Sequence, residues 1–153
     1  MAQQPAGMVL EAMAVGLAAE QLRTVTPSDV ADFAEVSGDR NPLHMDEHYA
    51  EASPFRGRVA HGMLLGAWIS ALLGEKLPGP GAIYVSQSLT FRRPVRIGDE
   101  VLTRAEVSEV DLKAGHVRLT TRCSVQGKTV LEGEAILRAP RAVPRANVAA
   151  RAR

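Results

Sequence analysis

Residues 62–73 read GMLLGAWISALL, and they form the most apolar stretch of the chain. In the helix that this run predicts, hydrophobic side chains lie on every side, which excludes an ordinary amphipathic surface helix. The run is also shorter than the roughly 20 residues that a membrane-spanning helix needs. Residues 62–73 therefore predict a helix that other parts of the fold must enclose.

Four strand-like segments follow this apolar helix, and short turn-forming stretches separate them. Short connections between successive strands indicate an antiparallel sheet. The predicted strands cover residues 82–91, 100–110, 116–125 and 129–138, and a further strand is expected within residues 13–25. The sequence thus predicts an α+β fold in which a curved antiparallel sheet wraps around a long apolar central helix.

Upstream of the apolar run, residues 26–38 carry the signals of a second helix. Thr26 can cap it, Pro27 suits its first position, and Asp29 stands where the acid of a capping box reaches back. Gly38 ends the helix, and residues 39–42 are typical of a turn because proline drives the residue before it toward extended geometry. His44 is therefore expected in a loop, before a short helix over residues 46–52.

The length and the charge distribution indicate one domain without a nucleic-acid-binding surface. A chain of 153 residues with 46% hydrophobic residues can bury one core. Five of its 18 basic residues follow the last acidic residue, Glu134, so the body of the protein is mildly acidic. We expect a flexible N-terminal extension over residues 1–9, a domain over residues 10–139, and a disordered Pro/Ala/Arg tail over residues 140–153.

The single cysteine, Cys123, excludes an intramolecular disulfide and fits a reducing compartment. Residues 1–7 contain no basic residue and no apolar core of a signal peptide. These features predict a soluble cytoplasmic protein.

Residues 36–44 read VSGDRNPLH and place a carboxylate, Asp39, five residues before an imidazole, His44. Such a pair could hold one water between two proton-accepting groups, one of which titrates near physiological pH. Asp and His in proline-containing turns are, however, more often local hydrogen-bonding residues. The spacing alone therefore leaves both interpretations open.

Several separated segments resemble the MaoC-like, R-specific enoyl-CoA hydratase family. Residues 36–44 are similar to its hydratase motif, and residues 57–65 (GRVAHGMLL), 87–95 (QSLTFRRPV) and 98–101 (GDEV) also look like this family. The resemblance covers about residues 10–138, in the right order. The chain is similar in particular to short single-domain bacterial members linked to polyhydroxyalkanoate synthesis. The resemblance implies the hot-dog fold.

The resemblance implies an acid-base role for Asp39 and His44 and an oxyanion role for the backbone amide of Gly62. The implied reaction is the reversible syn addition of water to trans-2-enoyl-CoA, which gives (R)-3-hydroxyacyl-CoA. Amides at the start of a helix suit the Gly62 role because they present donors together with the positive end of the dipole. No metal or separate cofactor is expected, since coenzyme A is part of the substrate.

For substrate binding we single out residues of the motif, the apolar helix and the strands. The acyl chain is expected against Ser70 and Leu73 of the helix and Leu137 of the last strand, with Asn41 also near the substrate. Arg92, together with Arg58 and Arg93, could meet the phosphates of coenzyme A. His61 is expected to fix local backbone rather than to catalyse. The resulting site prediction comprises Asp39, His44, Gly62, Asn41, Ser70, Leu73, Leu137 and Arg92.

The resemblance also implies a homodimer, because hot-dog proteins pair their sheets and a lone sheet would leave an exposed edge. Three alternatives stay open. The chain could dehydrate (R)-3-hydroxyacyl groups on acyl carrier protein or coenzyme A, hydrolyse thioesters, or bind acyl-CoA without catalysis.

Overall fold

A computed structural model of the chain describes residues 6–142. Within them, six strands form one antiparallel sheet in the order β1-β4-β5-β6-β2, and β3 also pairs with β6. The strands are β1 (Ala18–Thr24), β2 (Ile83–Gln87), β3 (Thr90–Phe91), β4 (Glu100–Asp111), β5 (His116–Val125) and β6 (Lys128–Arg138). The α+β architecture predicted from the sequence is confirmed.

Four α-helices accompany the sheet in the described part of the chain. They are α1 (Pro27–Ser37), α2 (Pro42–Met45), α3 (Glu47–Glu51) and α4 (Gly62–Glu75). The predicted capping box of α1 is present, with Thr26 accepting from the Asp29 amide and the Asp29 carboxylate accepting from the Thr26 amide. None of these helices is long and apolar enough to cross a membrane.

The core lies between α4 and the sheet. The apolar helix packs against β1, β4 and β5. Alternate positions of β4, including Val101, Ala105 and Val107, point into this core, as the two-residue period of a strand requires. The buried residues of α4 are Leu64, Leu65, Trp68, Ile69, Leu72 and Leu73.

The prediction that α4 is enclosed on all sides is wrong for a single chain. Its Met63, Ala67, Ser70 and Gly74 are exposed, and they share one face of the helix. The edge strand β2 beside them is exposed as well, with Ile83, Tyr84 and Val85 open to solvent. One sheet thus covers only one side of the helix.

Two predicted elements differ from the structure in their bounds. The strand expected within residues 13–25 begins only at Ala18, because Gly16 adopts a left-handed conformation that interrupts extended backbone. The strand predicted over residues 82–91 is broken into β2 and β3 at Ser88 and Leu89. The carbonyl of Ser88 lies so close to Gly133 of β6 that a Cβ there would be 1.8 Å from the oxygen.

The inner residues of the predicted extension (1–9) and tail (140–153) are attached to the domain. The Met8 amide donates to Pro78, the Leu10 amide donates to Pro140, and Arg141 pairs with Glu11. The rest of both predicted segments, residues 1–5 and 143–153, lies outside the described residues.

Candidate active site

Asp39 follows directly on the end of α1. Gly38 caps that helix in the left-handed conformation, with φ of 77°, which glycine adopts without steric cost. The Asp39 Oδ1 then accepts from the Asn41 amide at 3.1 Å, and the Asn41 Oδ1 accepts from the Leu43 amide at 3.1 Å. These two turns lead the backbone back on itself over six residues, which brings Asp39 and His44 to one place.

His44 lies on the one-turn helix α2, so the prediction that it emerges from a loop is wrong. Asn41 caps this turn through its side chain, and Pro42 occupies its first position, where a missing amide proton costs nothing. The His44 Nδ1–H donates to the carbonyl of Val59 at 2.7 Å. In the neutral imidazole the Nε2 atom therefore carries the lone pair and is the acceptor.

The side chains of Asp39 and His44 stand at a distance that suits one shared water molecule. A carboxylate oxygen of Asp39 and a ring nitrogen of His44 lie within 4.8 Å of each other. A water with hydrogen bonds of about 2.8 Å to each group spans such a gap. The structure thus brings together the two residues that the motif singles out.

His61 is the third polar side chain of this cluster, and it is only 1% exposed. Its Nε2–H donates to the backbone carbonyl of Asp39 at 2.9 Å. Its ring packs against the ring of His44, with centroids 4.0 Å apart, and against Phe33, with centroids 4.9 Å apart. The expectation that His61 fixes local backbone agrees with these contacts.

Asp39, His44 and His61 each offer one possible metal-ligand atom within 4.8 Å of the others. A metal must lie close to the plane of each imidazole that binds it, about 2.0–2.1 Å from the nitrogen. The planes of the two rings are tilted by 33°, with centroids 4.0 Å apart, and each ring donates from one nitrogen to a backbone carbonyl. One nitrogen of each ring and the Asp39 carboxylate are therefore the groups of this cluster that stand free of those backbone contacts.

Gly62 begins α4, as predicted, beside this cluster. Within residues 6–142 its amide has no hydrogen-bond acceptor, and the same holds for the amide of Met63. The ring of Phe91 lies over Gly62 so closely that a Cβ would be 2.6 Å from Phe91 Cε1. The glycine thus permits both a close approach of Phe91 and access to a helix-start amide.

A cavity of about 530 Å³ contains Asp39, His44 and Gly62, and its walls are mainly apolar. A second cavity of about 480 Å³ runs between the exposed face of α4 and β2. Met63 lines both cavities, so this residue lies between them. Apolar walls with a few convergent polar groups are typical of a small-molecule site.

The predicted acyl-chain residues lie in different surroundings. Ser70 lines the second cavity beside Tyr84, and the partial burial of the Tyr84 hydroxyl raises its pKa. Leu73 and Leu137 are fully buried in the core, and neither lines the two cavities described above. The structure therefore brings only Ser70 of these three residues to an open surface.

The polar residues that we expected near the substrate already have partners. Asn41 is the cap of α2. Arg92 lines the first cavity, but its guanidinium binds Glu132 at 2.7–2.8 Å through two nitrogens. Arg93 also lines the cavity and donates to the carbonyl of Thr129. Arg58 donates through Nε to the carbonyl of His44 at 2.6 Å.

The sequence interpretation missed two features of the site. Phe91 covers Gly62, and the carbonyl of Val59 fixes the His44 ring. Phe91 lies inside one of the segments that carry the resemblance. Its position next to Arg92 and Arg93 could have indicated that its ring lines the substrate site. A backbone carbonyl carries no such signal, since every residue has one.

Comparison with known proteins places this geometry in a family context. Residues 11–129 match the family described as "MaoC like domain". A protein of Methylorubrum extorquens named 3-hydroxybutyryl-CoA dehydratase is 47% identical over 134 residues, which are 88% of this chain and 85% of the relative.

Two further relatives carry hydratase names. An (R)-specific enoyl-CoA hydratase of Rhodospirillum rubrum is 48% identical over 125 residues, covering 82% of this chain and 87% of the relative. The unliganded R-hydratase PhaJ1 of Pseudomonas aeruginosa superimposes with a TM-score of 0.84 at 45% identity, covering 89% of this chain and 88% of that chain. These similarities include the whole region that carries Asp39, His44 and Gly62.

Proposed function

This chain belongs to the family of MaoC-like domains, and we propose on that premise that it is an R-specific enoyl-CoA hydratase. The enzyme adds water reversibly and in a syn sense to trans-2-enoyl-CoA and gives (R)-3-hydroxyacyl-CoA. The observation that carries the site assignment is the pairing of Asp39 and His44 within 4.8 Å in an apolar cavity. No separate cofactor is needed for this reaction, because the coenzyme A thioester itself activates the double bond.

Asp39 and His44 activate one water molecule. An ionised Asp39 carboxylate and the His44 Nε2 are both acceptors, so a water donates a hydrogen to each and turns its lone pair toward C3. The pair takes a proton from the water as the C–O bond forms. It then delivers a proton to C2 on the same face of the double bond, which makes the addition syn.

The Gly62 amide stabilises the thioester oxygen while the C2–C3 double bond is being hydrated. Negative charge grows on that oxygen as an enolate-like state develops. The free amide of Gly62 at the start of α4 points a donor and the positive end of the helix dipole at this charge. Removal of such a donor costs about 10²- to 10³-fold in turnover in other enzymes.

The Methylorubrum relative is named for the opposite direction of the same reaction, the dehydration of a 3-hydroxyacyl-CoA. The microscopic steps are then reversed: the pair removes the proton from C2, and the hydroxyl leaves C3 as water. Both directions use the same residues, so they do not require different sites.

We propose further that the functional unit is a homodimer in the cytoplasm and that a second copy covers the exposed face of α4 and strand β2. The exposed large apolar residues of this region are Met63, Ile83, Tyr84, Val85 and Phe91. A group of exposed apolar residues of this kind marks an interaction surface, and among the described residues β2 is an edge strand of the sheet. The second cavity lies under the same surface, so a partner subunit would complete its wall.

A series of trans-2-enoyl-CoA substrates of increasing chain length tests the proposed reaction. We expect loss of the enoyl absorbance without release of free thiol, and chiral analysis is expected to give the (R)-3-hydroxyacyl product. The same acyl groups on acyl carrier protein measure the carrier preference. Thiol release would indicate a thioesterase, and binding without loss of absorbance would indicate a non-catalytic acyl-CoA-binding protein.

A further inference from the structure

The segment that connects α3 to α4 runs alongside the turn that carries Asp39 and His44. Four hydrogen bonds join residues 58–61 to residues 39–44. The bonds run from Arg58 Nε to the His44 carbonyl (2.6 Å), from the Val59 amide to the Leu43 carbonyl (3.2 Å), from His44 Nδ1 to the Val59 carbonyl (2.7 Å), and from His61 Nε2 to the Asp39 carbonyl (2.9 Å).

Three of these bonds come from side chains, and two of the three run from residues 58–61 to the backbone of one acid-base residue each. His61 binds the carbonyl of Asp39, and Arg58 binds the carbonyl of His44. Asp39 and His44 both line the cavity, and neither contact uses their side-chain acceptors, the Asp39 carboxylate and the His44 Nε2. Arg58 and His61 therefore act on where the reacting groups stand and not on the reacting atoms.

The surroundings of His61 leave little other use for its ring. The side chain is buried, and the Nδ1 atom is enclosed without a hydrogen-bond partner among the described residues. A buried polar atom that lacks a partner costs free energy, and a hydrophobic residue of similar size would avoid that cost. The donation from Nε2 to Asp39 is the contact that such a substitution would lose.

Arg58 is half-buried, and its contact is specific to the Nε atom. The His44 carbonyl is one of the last in the one-turn helix α2, where carbonyl groups lack partners within the helix. A cation at that end also interacts favourably with the helix dipole. The Arg58 contact thus holds the peptide of His44, while the Val59 carbonyl holds its ring.

We infer that Arg58 and His61 are positioning residues, which hold Asp39 and His44 at the separation that one shared water requires. This inference rests on the proposed function of the pair. A misplacement of about 1 Å can cost on the order of 10²-fold in rate, although the mutated residue never touches the substrate. Substrate binding in the apolar cavity does not depend on these two bonds, so the loss falls on kcat and leaves KM within about twofold.

Matched substitutions separate the hydrogen bond from the bulk of the side chain. Gln places its Nε2 as many bonds from Cα as the Nε of Arg58 or the Nε2 of His61, and it keeps a donor there. Met has the same length but no donor. The variants are therefore Arg58→Gln, Arg58→Met, His61→Gln and His61→Met. Arg56→Met is the control, because Arg56 is exposed and its side chain makes no hydrogen bond within the described chain.

We expect each Met variant to lose about 10²-fold in kcat for crotonyl-CoA hydration, and each Gln variant to recover at least about tenfold of that loss. The Arg56→Met control is expected to keep wild-type kinetics. In an Asp39→Asn background, His61→Met is expected to add almost no further loss, because a residue that acts through Asp39 has nothing left to position. A purely structural role would instead multiply the two losses.

Three results would overturn the inference, in each case for variants with wild-type circular dichroism spectra. They are wild-type kcat in the Met variants, equal losses in the Gln and Met variants, or multiplicative losses in the Asp39→Asn background. Arg58 is only half-buried and tolerates substitution more readily than the buried His61, so its pair keeps the test open if His61→Met does not fold. Failure of the proposed function would appear separately, as absence of hydration by the wild-type protein.

Discussion

Asp39 uses its carboxylate and its carbonyl for different tasks. The carboxylate closes a turn with the Asn41 amide and faces the cavity, and the carbonyl accepts from His61. His44 divides its tasks in the same way, with Nδ1 bound to Val59 and Nε2 available for chemistry. Substitutions can therefore remove the chemistry and leave the turn in place.

Asp39→Asn keeps an oxygen for the Asn41 amide but cannot take a proton, and His44→Asn keeps an N–H close to the position of Nδ1. We expect each change to reduce hydration of crotonyl-CoA by at least about 10²-fold while the fold stays intact. Initial rates and far-UV circular dichroism measure both effects. Arg40→Gln is the control in the same turn, because Arg40 is exposed and, among residues 6–142, its side chain pairs with Glu35. A folded Asp39 or His44 variant with near wild-type turnover would contradict the assignment.

Gly62→Ala tests the close approach of Phe91. The new Cβ would meet two ring carbons of Phe91 at 2.6 and 2.8 Å, so the ring must move. Overpacking of this kind costs about 1–3 kcal/mol, and we expect the unfolding free energy and the turnover to fall together. Chemical denaturation and initial rates measure the two quantities. The double variant Gly62→Ala with Phe91→Ala makes room for the Cβ, and it should regain stability. If it does not, the contact with Phe91 is not the reason for the glycine.

At the level of residues, the sequence predicts which residue types carry the chemistry, but it does not predict the contacts that other segments of the chain make with them. Asp39, His44 and Gly62 stand in segments whose residue types are specific, and the structure places them around one cavity. The Val59 carbonyl and the covering ring of Phe91 depend on contacts between distant segments. Leu73 and Leu137 were expected at the acyl chain but lie in the core. Helix and strand periods predict which side of an element a side chain is on, but they do not predict whether a cavity lies on that side.

Among the elements, helix α1 supports the site because its end determines where Asp39 stands. Its start is fixed by the capping box of Thr26 and Asp29, and Arg23 pairs with the same carboxylate at 2.7 Å. Burial alone would raise the pKa of Asp29, but the hydrogen bonds from Thr26 and the charge of Arg23 outweigh it and hold the pKa below its ordinary value. The stability that this carboxylate contributes is therefore pH-dependent.

Asp29→Asn is expected to lower the free energy of unfolding by about 1 kcal/mol at pH 7, the size of a lost helix cap. A group whose folded pKa is lowered stabilises the fold above its unfolded pKa, which is about 3.9 for aspartate. That contribution disappears as the pH falls through the folded pKa, so the two proteins should converge in stability in acid. Urea unfolding at several pH values measures the difference. Asp32→Asn, on the exposed side of the same helix, is the comparison, and an Asp29→Asn deficit that is unchanged in acid would contradict the linkage.

The helices and strands were predictable where a local rule decides them. The capping box of α1 and the hairpins between β4, β5 and β6 follow from residue types at fixed spacings. The break between β2 and β3 does not, because it depends on the contact of Ser88 with Gly133, 45 positions away. The sequence predicts a loop where the structure has the one-turn helix α2, because Pro and Asn are common both in turns and at the start of a helix.

For the whole molecule, helix α4 belongs both to the core and to the proposed dimer interface, because one of its sides is buried and another is exposed. The sequence predicts a helix that other parts of the fold enclose, but the sheet of a single chain buries only one of its sides. No local pattern distinguishes an apolar face that meets its own sheet from one that meets another subunit. The proposed homodimer follows from where the exposed apolar residues lie together.

Val85→Lys tests the proposed interface, because Val85 lies on edge strand β2 and is 48% exposed. A lysine there would place a charge in the apolar contact, so we expect a shift from dimer to monomer and a large loss of activity. Light scattering after size exclusion measures the mass. Leu22→Lys is the control, because Leu22 is 58% exposed on the opposite edge strand, β1. Monomeric wild-type protein, or an active dimer of the Val85→Lys variant, would contradict the proposed surface.

The four hydrogen bonds between residues 39–44 and 58–61 also determine what would have to be copied in protein design. A designer who transplanted the nine-residue motif alone into another scaffold would carry over the carboxylate and the imidazole without the groups that hold them. The smallest transferable unit consists of two backbone segments, residues 39–44 and 58–61, held in a fixed position relative to each other. The first turn of the apolar helix follows the second segment. Such a unit is discontinuous in sequence, and it would need a host whose own core can accept that helix.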